Sequence, residues 1–292
     1  TPQDNRTDYI KRVIGLPGDK IKITNGAIII NDDLIMKKKI DDFIDFDKQG
    51  NTKRIRKYNS SKMRDYADGF MRHSFKNKYS YNFFWFGRPI IQYPQDIVAM
   101  QELIWRVKPD LIIETGIAHG GSLIFSASML ALLDLCEHGH TEIKPNLSKP
   151  RRVIGVDIDI RLHNREALEQ HPLYPRLTLI EGSSIDPIII DQVYAEARDS
   201  NNILVCLDSN HTYDHVLGEL EAYAPLTSKN SYCVVFDGFV ENLPRGFIDD
   251  RPWDKGNNPK AATKEYLENL SAIHKIAFDG NPLNFEILAW IY

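Results

Sequence analysis

The chain has little cysteine and no large excess of charge of either sign. Three cysteines, Cys136, Cys206 and Cys233, stand among 292 residues, too few for a framework of paired disulfides. Their scarcity predicts a reducing, cytoplasmic setting. The formal net charge is −4, from 36 basic and 40 acidic side chains. A general attraction for nucleic acid is therefore not expected, and nucleic acid is excluded as a partner.

Long hydrophobic runs are also missing. The longest apolar stretch, LIFSASMLALLDLC at residues 123–136, is interrupted by serines and falls short of the ~20 residues that span a bilayer. Neither a transmembrane segment nor a signal peptide is expected. Hydrophobic residues nevertheless make up 42% of the chain. This fraction is enough to bury a sizeable core in one large domain or two smaller ones.

The first 58 residues differ in pattern from the rest. Asn25-Gly26 separates two β-rich runs in KIKITNGAIIIN at residues 20–31, which is typical of a hairpin. The preceding TDYIKRVIGLPGDK resembles the lysine-bearing segment of type I signal peptidases, and the resemblance places Lys11 at their catalytic base. The serine nucleophile of that family has no counterpart here, and a lysine without it cannot perform acyl transfer. Residues 1–58 are interpreted as a β-hairpin appendage resembling a signal peptidase fragment.

Residues 59–292 alternate strand-like and helix-like segments. Short runs rich in Val and Ile alternate with helical patterns, which is typical of a parallel sheet covered by helices on both faces. Strands are predicted at 110–114, 152–157, 176–181, 202–207 and 231–236, and helices at 96–106, 121–136, 162–170, 186–198 and 212–222. The sequence therefore predicts one α/β domain in this part of the chain.

A glycine-rich turn follows the first of these strands, in LIIETGIAHGGSLIF at residues 111–125. Gly116, Gly120 and Gly121 favour a tight strand-to-helix turn that brings the backbone close to a cofactor. The turn runs into Ser122 without the Lys-Ser/Thr pair of a phosphate-binding loop, which excludes a nucleoside triphosphate. Its glycine spacing also differs from the dinucleotide pattern. The choice of cofactor therefore depends on the side chains around the turn.

Acidic and hydroxyl side chains follow three successive strands. Glu114 closes the first, and Asp157 closes the second in VIGVDID, where a carboxylate can accept hydrogen bonds from ribose hydroxyls. LIEGSSID closes the third and offers Ser183, Ser184 and Asp186 to an adenine edge. An adenosine without phosphates that carries a positive sulfonium fits acids without lysine, so S-adenosylmethionine is predicted as the cofactor. The alternative is that these side chains cap the following helices.

Two further predicted strands end in carboxylates, Asp208 in VCLDSNH and Asp237 in VVFDGF. The carboxyl ends of adjacent parallel strands open on one crevice, and two carboxylates there predict a hard-cation site of the Mg²⁺ type. His211 follows Asp208 by three residues, and an imidazole with a pKa of ~6.5 suits the removal of a proton from a hydroxyl. The alternatives are that the aspartates cap the next helix or turn, and that His211 caps a helix or bonds a carboxylate.

Seven ordered segments together resemble the cephalosporin hydroxylase / rhamnosyl O-methyltransferase family over roughly residues 75–265. They are YNFFWFGRPIIQYPQD, DLIIETGIAHGGS, VIGVDIDIR, LIEGSSID, ILVCLDSNHTYDHV, SYCVVFD and DRPWDKGNNPKAA. The resemblance implies a Rossmann-like class I methyltransferase fold, S-adenosylmethionine, a divalent metal and often a homo-oligomer. The sequence has no His-x-Asp…His triad for oxygen-activating iron.

The predicted function is S-adenosylmethionine-dependent, Mg²⁺-assisted O-methyl transfer to a hydroxyl of a sugar, glycolipid or other small natural product. Catalysis is assigned to His211 and Asp208. The aromatic segment 79–86 and the loop 251–257 are expected to cover the cofactor and the acceptor. Two alternatives stay open. One is a relative that binds the cofactor without turnover and serves as an assembly or partner subunit, and the other is a serine-lysine peptidase built around the N-terminal lysine.

Overall fold

The chain divides into two compact units, residues 1–64 and 65–292. The structure is a computed structural model that describes residues 21–24, 27–31, 33–35, 44–46, 52–54, 61–138, 150–273 and 285–288. The predicted division at residue 58 into an appendage and a methyltransferase-like domain stays a prediction.

Short antiparallel strands make up most of the described part of the first unit. They are β1 Ile21–Thr24, β2 Ala27–Ile30, β3 Asp33–Ile35, β4 Ile44–Phe46 and β5 Thr52–Arg54. Thr24 lies opposite Ala27 where β1 pairs with β2, which confirms the predicted hairpin. Its Asn25-Gly26 turn and Lys11 lie outside the described residues.

From residue 94 onward the described elements alternate between helices and strands, as predicted, whereas a helix and an antiparallel pair of strands precede them. The helices are α1 Ser61–Lys76, α2 Pro94–Val107, α3 Gly121–His138, α4 Leu162–Glu169, α5 Pro187–Ala197, α6 Tyr213–Tyr223 and α7 Pro259–Ile273. The strands are β6 Phe83–Trp85, β7 Arg88–Ile90, β8 Leu111–Thr115, β9 Arg152–Asp157, β10 Leu177–Glu181, β11 Ile203–Leu207, β12 Ser231–Val235 and β13 Phe285–Leu288. Every helix and strand predicted for this part is present, within two residues of its predicted ends. Among the described helices, none combines the length and apolarity needed to cross a membrane.

The main sheet has the strand order β10-β9-β8-β11-β12-β13, and each neighbouring pair is parallel. The first of these strands, β8, lies inside the sheet. The chain adds β9 and β10 on one side of it and then crosses to β11 on the other. This is the doubly wound, Rossmann-like arrangement that the sequence predicts. The reversal of strand order between β8 and β11 opens a crevice at the carboxyl edge of the sheet, where ligands bind in such folds.

Two apolar layers cover the two faces of this sheet. Successive residues of a strand point to opposite faces, so Ile112 packs in one layer while Leu111 and Ile113 pack in the other. The first layer includes side chains of α2 and α3, and the second includes side chains of α5, α6 and α7. All five residues of β8, of β11 and of β12 are buried. The carboxyl ends of these strands are therefore held in fixed positions.

Candidate active site

A cavity of about 920 Å³ opens at the carboxyl edge of the sheet. Its wall includes the glycine turn after β8, the loop after β11, the loop after β12 and the segment that leads into α2. Asp208, His211 and Asp237 all line it, together with Gly116 and Ser122. The topology thus brings residues from four separate parts of the sequence to one place.

The glycine turn is packed so closely that two of its positions have no room for a side chain. A Cβ at Gly116 would lie 2.1 Å from the carbonyl oxygen of Asp208, and one at Gly121 would lie 2.2 Å from the carbonyl oxygen of Pro89. Gly116 also has a φ of +90°, which favours glycine. The turn is therefore held between the loop after β11 and the β6–β7 hairpin.

Glu114 and Ser122 hydrogen-bond each other beside the turn. The Ser122 hydroxyl donates to Oε1 of Glu114, a side chain that is only 4% exposed. Burial raises the pKa of Glu114 to about 7, although the Ser122 hydroxyl acts in the opposite direction. A buried carboxyl with a raised pKa would be stabilised in its charged form by a nearby cation such as a sulfonium.

Asp157 fastens the glycine turn to the end of β9. Its Oδ2 accepts hydrogen bonds from the backbone N–H groups of Ile117 at 2.7 Å and Ala118 at 3.0 Å, and Oδ1 accepts one from Asp159 N at 3.2 Å. The structure therefore brings together the predicted cofactor residues Glu114, Asp157 and the turn between them.

The three predicted side chains after β10 have different surroundings. Ser184 is buried and donates to Glu219 Oε1 at 2.6 Å. Asp186 caps α5 by accepting from Ile188 N at 2.8 Å, so the capping alternative is observed for it. Ser183 is half-buried, and its carbonyl accepts from Asp186 N. Among the described contacts, no hydrogen bond joins these side chains to the glycine turn. Their contact with a cofactor stays a prediction.

Glu219 joins the loops after β10 and β11, a link that sequence reasoning missed. Its Oε1 accepts from Ser184 and from Ser209, both at 2.6 Å, and its side chain is fully buried. His215 Nε2 lies 3.0 Å and 3.1 Å from the same two hydroxyls. A signal was present, because Glu219 falls on the buried face of α6 beside Leu220. A carboxylate on an apolar face indicates a buried polar network.

Asp208, His211 and Asp237 form a cluster that could hold a metal ion. One potential ligand atom from each lies within 4.8 Å of the others, and His211 Nε2 is 3.0 Å from Asp237 Oδ2. The contact with Asp237 also matches the alternative in which His211 bonds a carboxylate. Two carboxylates and one imidazole are a donor set that fits a divalent cation. The predicted metal and catalytic residues are thus adjacent in space.

The electrostatics of this cluster favour a cation. Burial raises the pKa of Asp208 well above its ordinary value, and the nearby Asp237, Glu114 and Glu219 add to the effect. The Gln92 amide donates to Asp208 Oδ2 at 2.7 Å, which partly offsets the repulsion. A divalent cation placed between the carboxylates would relieve the remaining electrostatic repulsion between them.

Asp96 is a further carboxyl in the wall of this cavity, and sequence reasoning missed it. It lies in the first turn of α2, is 3% exposed, and its Oδ1 has no hydrogen-bond partner. Burial first, and then the charge of Asp237, raise its pKa to about 8. The missed signal was its position four residues before Met100 on the buried face of the helix. A buried carboxyl oxygen without a partner points to a ligand or a water at this place.

The loop 251–257 reaches the cluster through Trp253. The Trp253 ring packs edge to face with His211, with centroids 4.7 Å apart and planes at 82°. Asn257 Oδ1 accepts from Tyr213 N at 2.8 Å, which fastens the loop to the start of α6. The predicted role of the loop in covering the acceptor stays a prediction, but its contact with His211 is direct.

The aromatic segment 79–86 leads into a hairpin that packs on the glycine turn. Trp85 Nε1 donates to Ser128 Oγ at 3.0 Å, and Arg88 Nε donates to the His119 carbonyl at 2.9 Å.

A family model described as rhamnosyl O-methyltransferase/CmcI matches residues 77–280. This range includes the β6–β7 hairpin, five of the six strands of the main sheet and the acid cluster. The chain belongs to the rhamnosyl O-methyltransferase/CmcI family. A second model, signal peptidase of peptidase family S26, matches residues 1–72. Both predicted resemblances are confirmed.

Curated relatives of the family match only part of the chain. The rhamnosyl O-methyltransferase of Mycobacterium tuberculosis is 28% identical over 150 residues, which cover 51% of this chain and 54% of the relative. The Mycobacterium leprae protein of the same name is 27% identical over 161 residues, covering 55% and 62%. The chain therefore spans little more than half the length of these relatives.

Solved methyltransferases are among the structural matches. MycE methyltransferase from the mycinamycin biosynthetic pathway, in complex with Mg and SAH, matches with a TM-score of 0.38 and 20% identity, over 63% of this chain and 41% of that one. CmcI with Mg and SAM matches with a TM-score of 0.41 and 17% identity, over 66% of each chain. The assignment to the family rests on the family model and not on these matches.

Proposed function

We propose that the chain transfers the methyl group of S-adenosylmethionine to a hydroxyl oxygen of a small-molecule acceptor. The observation that carries the proposal is the convergence of Asp208, His211 and Asp237 on one cavity beside the glycine turn. Membership of the rhamnosyl O-methyltransferase/CmcI family supports it. A sugar, a glycolipid or another small natural product is the proposed acceptor class.

The cofactor is proposed to lie against the glycine turn, between Glu114 and Asp157. A turn at which two positions exclude any side chain allows a ligand to approach the backbone closely. Asp157 accepts hydrogen bonds from two backbone N–H groups of the turn, and its carboxylate retains lone pairs that can accept hydrogen bonds from ribose hydroxyls. Glu114 supplies negative charge without a lysine nearby in the turn, which fits a sulfonium better than a phosphate.

Methyl transfer requires a deprotonated acceptor oxygen in line with the sulfonium. The oxygen attacks the methyl carbon, the carbon–sulfur bond breaks, and its electron pair stays on sulfur. His211 is the proposed base, because Nε2 contacts Asp237 at 3.0 Å and a proton on Nε2 leaves the lone pair of Nδ1 to accept the hydroxyl proton. Alignment of the acceptor oxygen with the methyl group by the cavity walls supplies much of the remaining reduction in the activation barrier.

Mg²⁺ is proposed to bind Asp208 and Asp237. When bound, such an ion lowers the pKa of a coordinated hydroxyl and neutralises the crowded carboxylates. Gln92 would keep Asp208 Oδ2 oriented through the 2.7 Å hydrogen bond.

A homo-oligomeric state, which the family resemblance implies, is also part of the proposal. Light scattering on the purified chain measures the molar mass that decides it.

Isothermal titration calorimetry tests this function directly. The full chain is titrated with S-adenosylmethionine, with and without Mg²⁺, as wild type, Asp157→Asn and the control Asp191→Asn, an exposed residue of α5. We expect the wild type and the control to bind alike, and Asp157→Asn to bind about tenfold or more weakly because it loses charge-assisted hydrogen bonds. A Mg²⁺-dependent heat that disappears in Asp237→Asn would support the metal site. Absence of cofactor binding under both conditions would remove the proposal.

A further inference from the structure

Three basic side chains in the wall of the large cavity lie over aromatic rings instead of pairing with acids. Lys76 Nζ is 5.1 Å from the centroid of Phe247, Lys78 Nζ is 5.9 Å from that of Tyr81, and Arg251 Cζ is 5.3 Å from that of Trp253. All six residues line the cavity. Among the described ion pairs, none includes Lys76, Lys78 or Arg251.

Cations held in this way keep their charge available to a ligand. An aromatic face attracts a cation and fixes its position, but it does not neutralise the charge as a carboxylate does. Asp249 and Asp250 also line the cavity, and both are exposed. Neither is within ion-pairing distance of the three cations in the described part of the chain. The three cations therefore offer the cavity positive charge that no described ion pair neutralises, whereas the cluster around Asp208 contributes acidic groups.

Trp253 links the two regions at short range. A continuous series of contacts connects Asp237 to Arg251. Asp237 Oδ2 lies 3.0 Å from His211 Nε2, the His211 and Trp253 ring centroids are 4.7 Å apart, and Arg251 Cζ lies 5.3 Å from the Trp253 centroid. Arg251 is thus separated from the proposed base by a single indole. An acceptor that lies against the Trp253 ring would therefore have both the proposed base and the guanidinium beside it.

We infer that the acceptor carries an oxyanion, a phosphate or a carboxylate group, which Arg251 binds with support from Lys76. The inference rests on the proposed function and narrows its acceptor class to anionic sugars. A guanidinium offers a fork of N–H donors that matches two oxygens of such a group. The aromatic rings that carry the cations also offer apolar surface to the sugar ring.

The test measures the binding of three matched sugars by calorimetry. The full chain, saturated with S-adenosylhomocysteine and Mg²⁺, is titrated with methyl α-D-glucoside, α-D-glucose 1-phosphate and methyl α-D-glucuronide. We expect at least one charged sugar to bind about tenfold more tightly than the neutral one, since charge-assisted hydrogen bonds are roughly twice as strong as neutral ones. The preference should weaken as NaCl is added. The better of the two charged sugars identifies the anion as phosphate or carboxylate.

Variants separate the role of the charge from that of packing. Arg251→Gln should lose the preference, and Arg251→Lys should retain most of it. The control Arg198→Gln, which removes an exposed charge beyond the end of α5, should behave as wild type. Equal binding of the three sugars, no binding of either charged sugar, or an unchanged preference in Arg251→Gln would overturn the inference. Failure of the chain to bind S-adenosylmethionine in the calorimetric test of the proposed function would instead remove that function itself.

Discussion

Gly116 is a position where backbone and neighbours together demand glycine. Its φ of +90° is unfavourable for other residues, and its missing Cβ makes room for the carbonyl oxygen of Asp208. A change at this residue therefore acts on two loops at once. The glycine turn and the loop that carries Asp208 and His211 would both have to shift.

Gly116→Ala should destabilise the chain and weaken cofactor binding. A strained φ and an overpacked contact together cost about 2–4 kcal/mol of the free energy of unfolding, measured by urea denaturation. Gly69→Ala is the matched control, because Gly69 lies in α1 with no atom near its missing Cβ. There alanine should be neutral or stabilising by up to about 1 kcal/mol. Equal stability of the two variants would contradict the described packing.

Asp96 should make stability depend on pH in metal-free buffer. Its pKa is raised from 3.8 to about 8 by burial and by Asp237, so the folded chain holds a proton that the unfolded chain releases. The carboxyl therefore destabilises the fold increasingly as pH rises from about 4 to 8, and no further above that. Asp96→Asn should be more stable than wild type by a few kcal/mol at pH 8 and similar to it near pH 4.

The control for this measurement is Asp65→Asn, at an exposed position of α1. Its stability relative to wild type should not change over the same pH range. Thermal unfolding of the three proteins at several pH values gives the comparison. A difference between Asp96→Asn and wild type that stays constant from pH 4 to 8 would show that Asp96 ionises as an ordinary exposed acid.

At the scale of secondary-structure elements, α6 joins the loop after β10 to the loop after β11. Glu219 accepts a hydrogen bond from Ser184 in the loop after β10 and another from Ser209 in the loop after β11, next to Asp208. Both loops are thereby fixed to the same helix. The relative position of the two predicted ligand sites depends on one buried carboxylate.

Glu219→Gln should lower stability by about 1–3 kcal/mol, because charge-assisted hydrogen bonds are lost and an amide must be buried in their place. Affinity for S-adenosylmethionine should fall with it, as measured by calorimetry below the melting temperature. Glu221→Gln, two residues away and exposed on the same helix, should change neither quantity. Weakened stability with unchanged affinity would limit Glu219 to a structural role.

The elements themselves could be predicted because their patterns are local. Runs such as LIIET and ILVCL are buried throughout, so they appear in the sequence as unbroken apolar strands. The parallel order then places Glu114 and Asp208 on one edge. Side-chain direction beyond a strand end is not local, however. Ser184 points to Glu219, which lies 35 residues later, and no pattern near Ser184 indicates that partner.

The whole molecule combines two compact units, and the second contains every described residue of the candidate site. Met71 of α1 packs with Tyr93, Phe239 and Leu243 in a small apolar cluster. Ser74 Oγ also lies 3.0 Å from the Tyr93 hydroxyl. The helix α1 is therefore part of the structure that supports the cavity.

A chain of residues 59–292 should bind S-adenosylmethionine as the full chain does, within about twofold, because it retains α1 and all site residues. A chain of residues 78–292 is the comparison, since it lacks α1. Loss of the buried Met71 alone removes about 2–5 kcal/mol of stability. Calorimetry measures the cofactor affinity of both chains, and thermal unfolding measures their stability. Weak binding by the chain of residues 59–292 would assign the removed N-terminal residues a role in the site.

The sheet order also has a consequence for how the molecule folds. Leu111 and Ile203 are partners in the central β8–β11 ladder, although residues 112–202 lie between them in the chain. Pairing across such a distance is slow, because the closure entropy must be paid before any contact is gained. Glu114 and Asp208 lie on these two strands' carboxyl ends. The crevice of the candidate site is therefore complete only after this long-range pairing has formed, and a folding intermediate without the β8–β11 ladder would lack the assembled site.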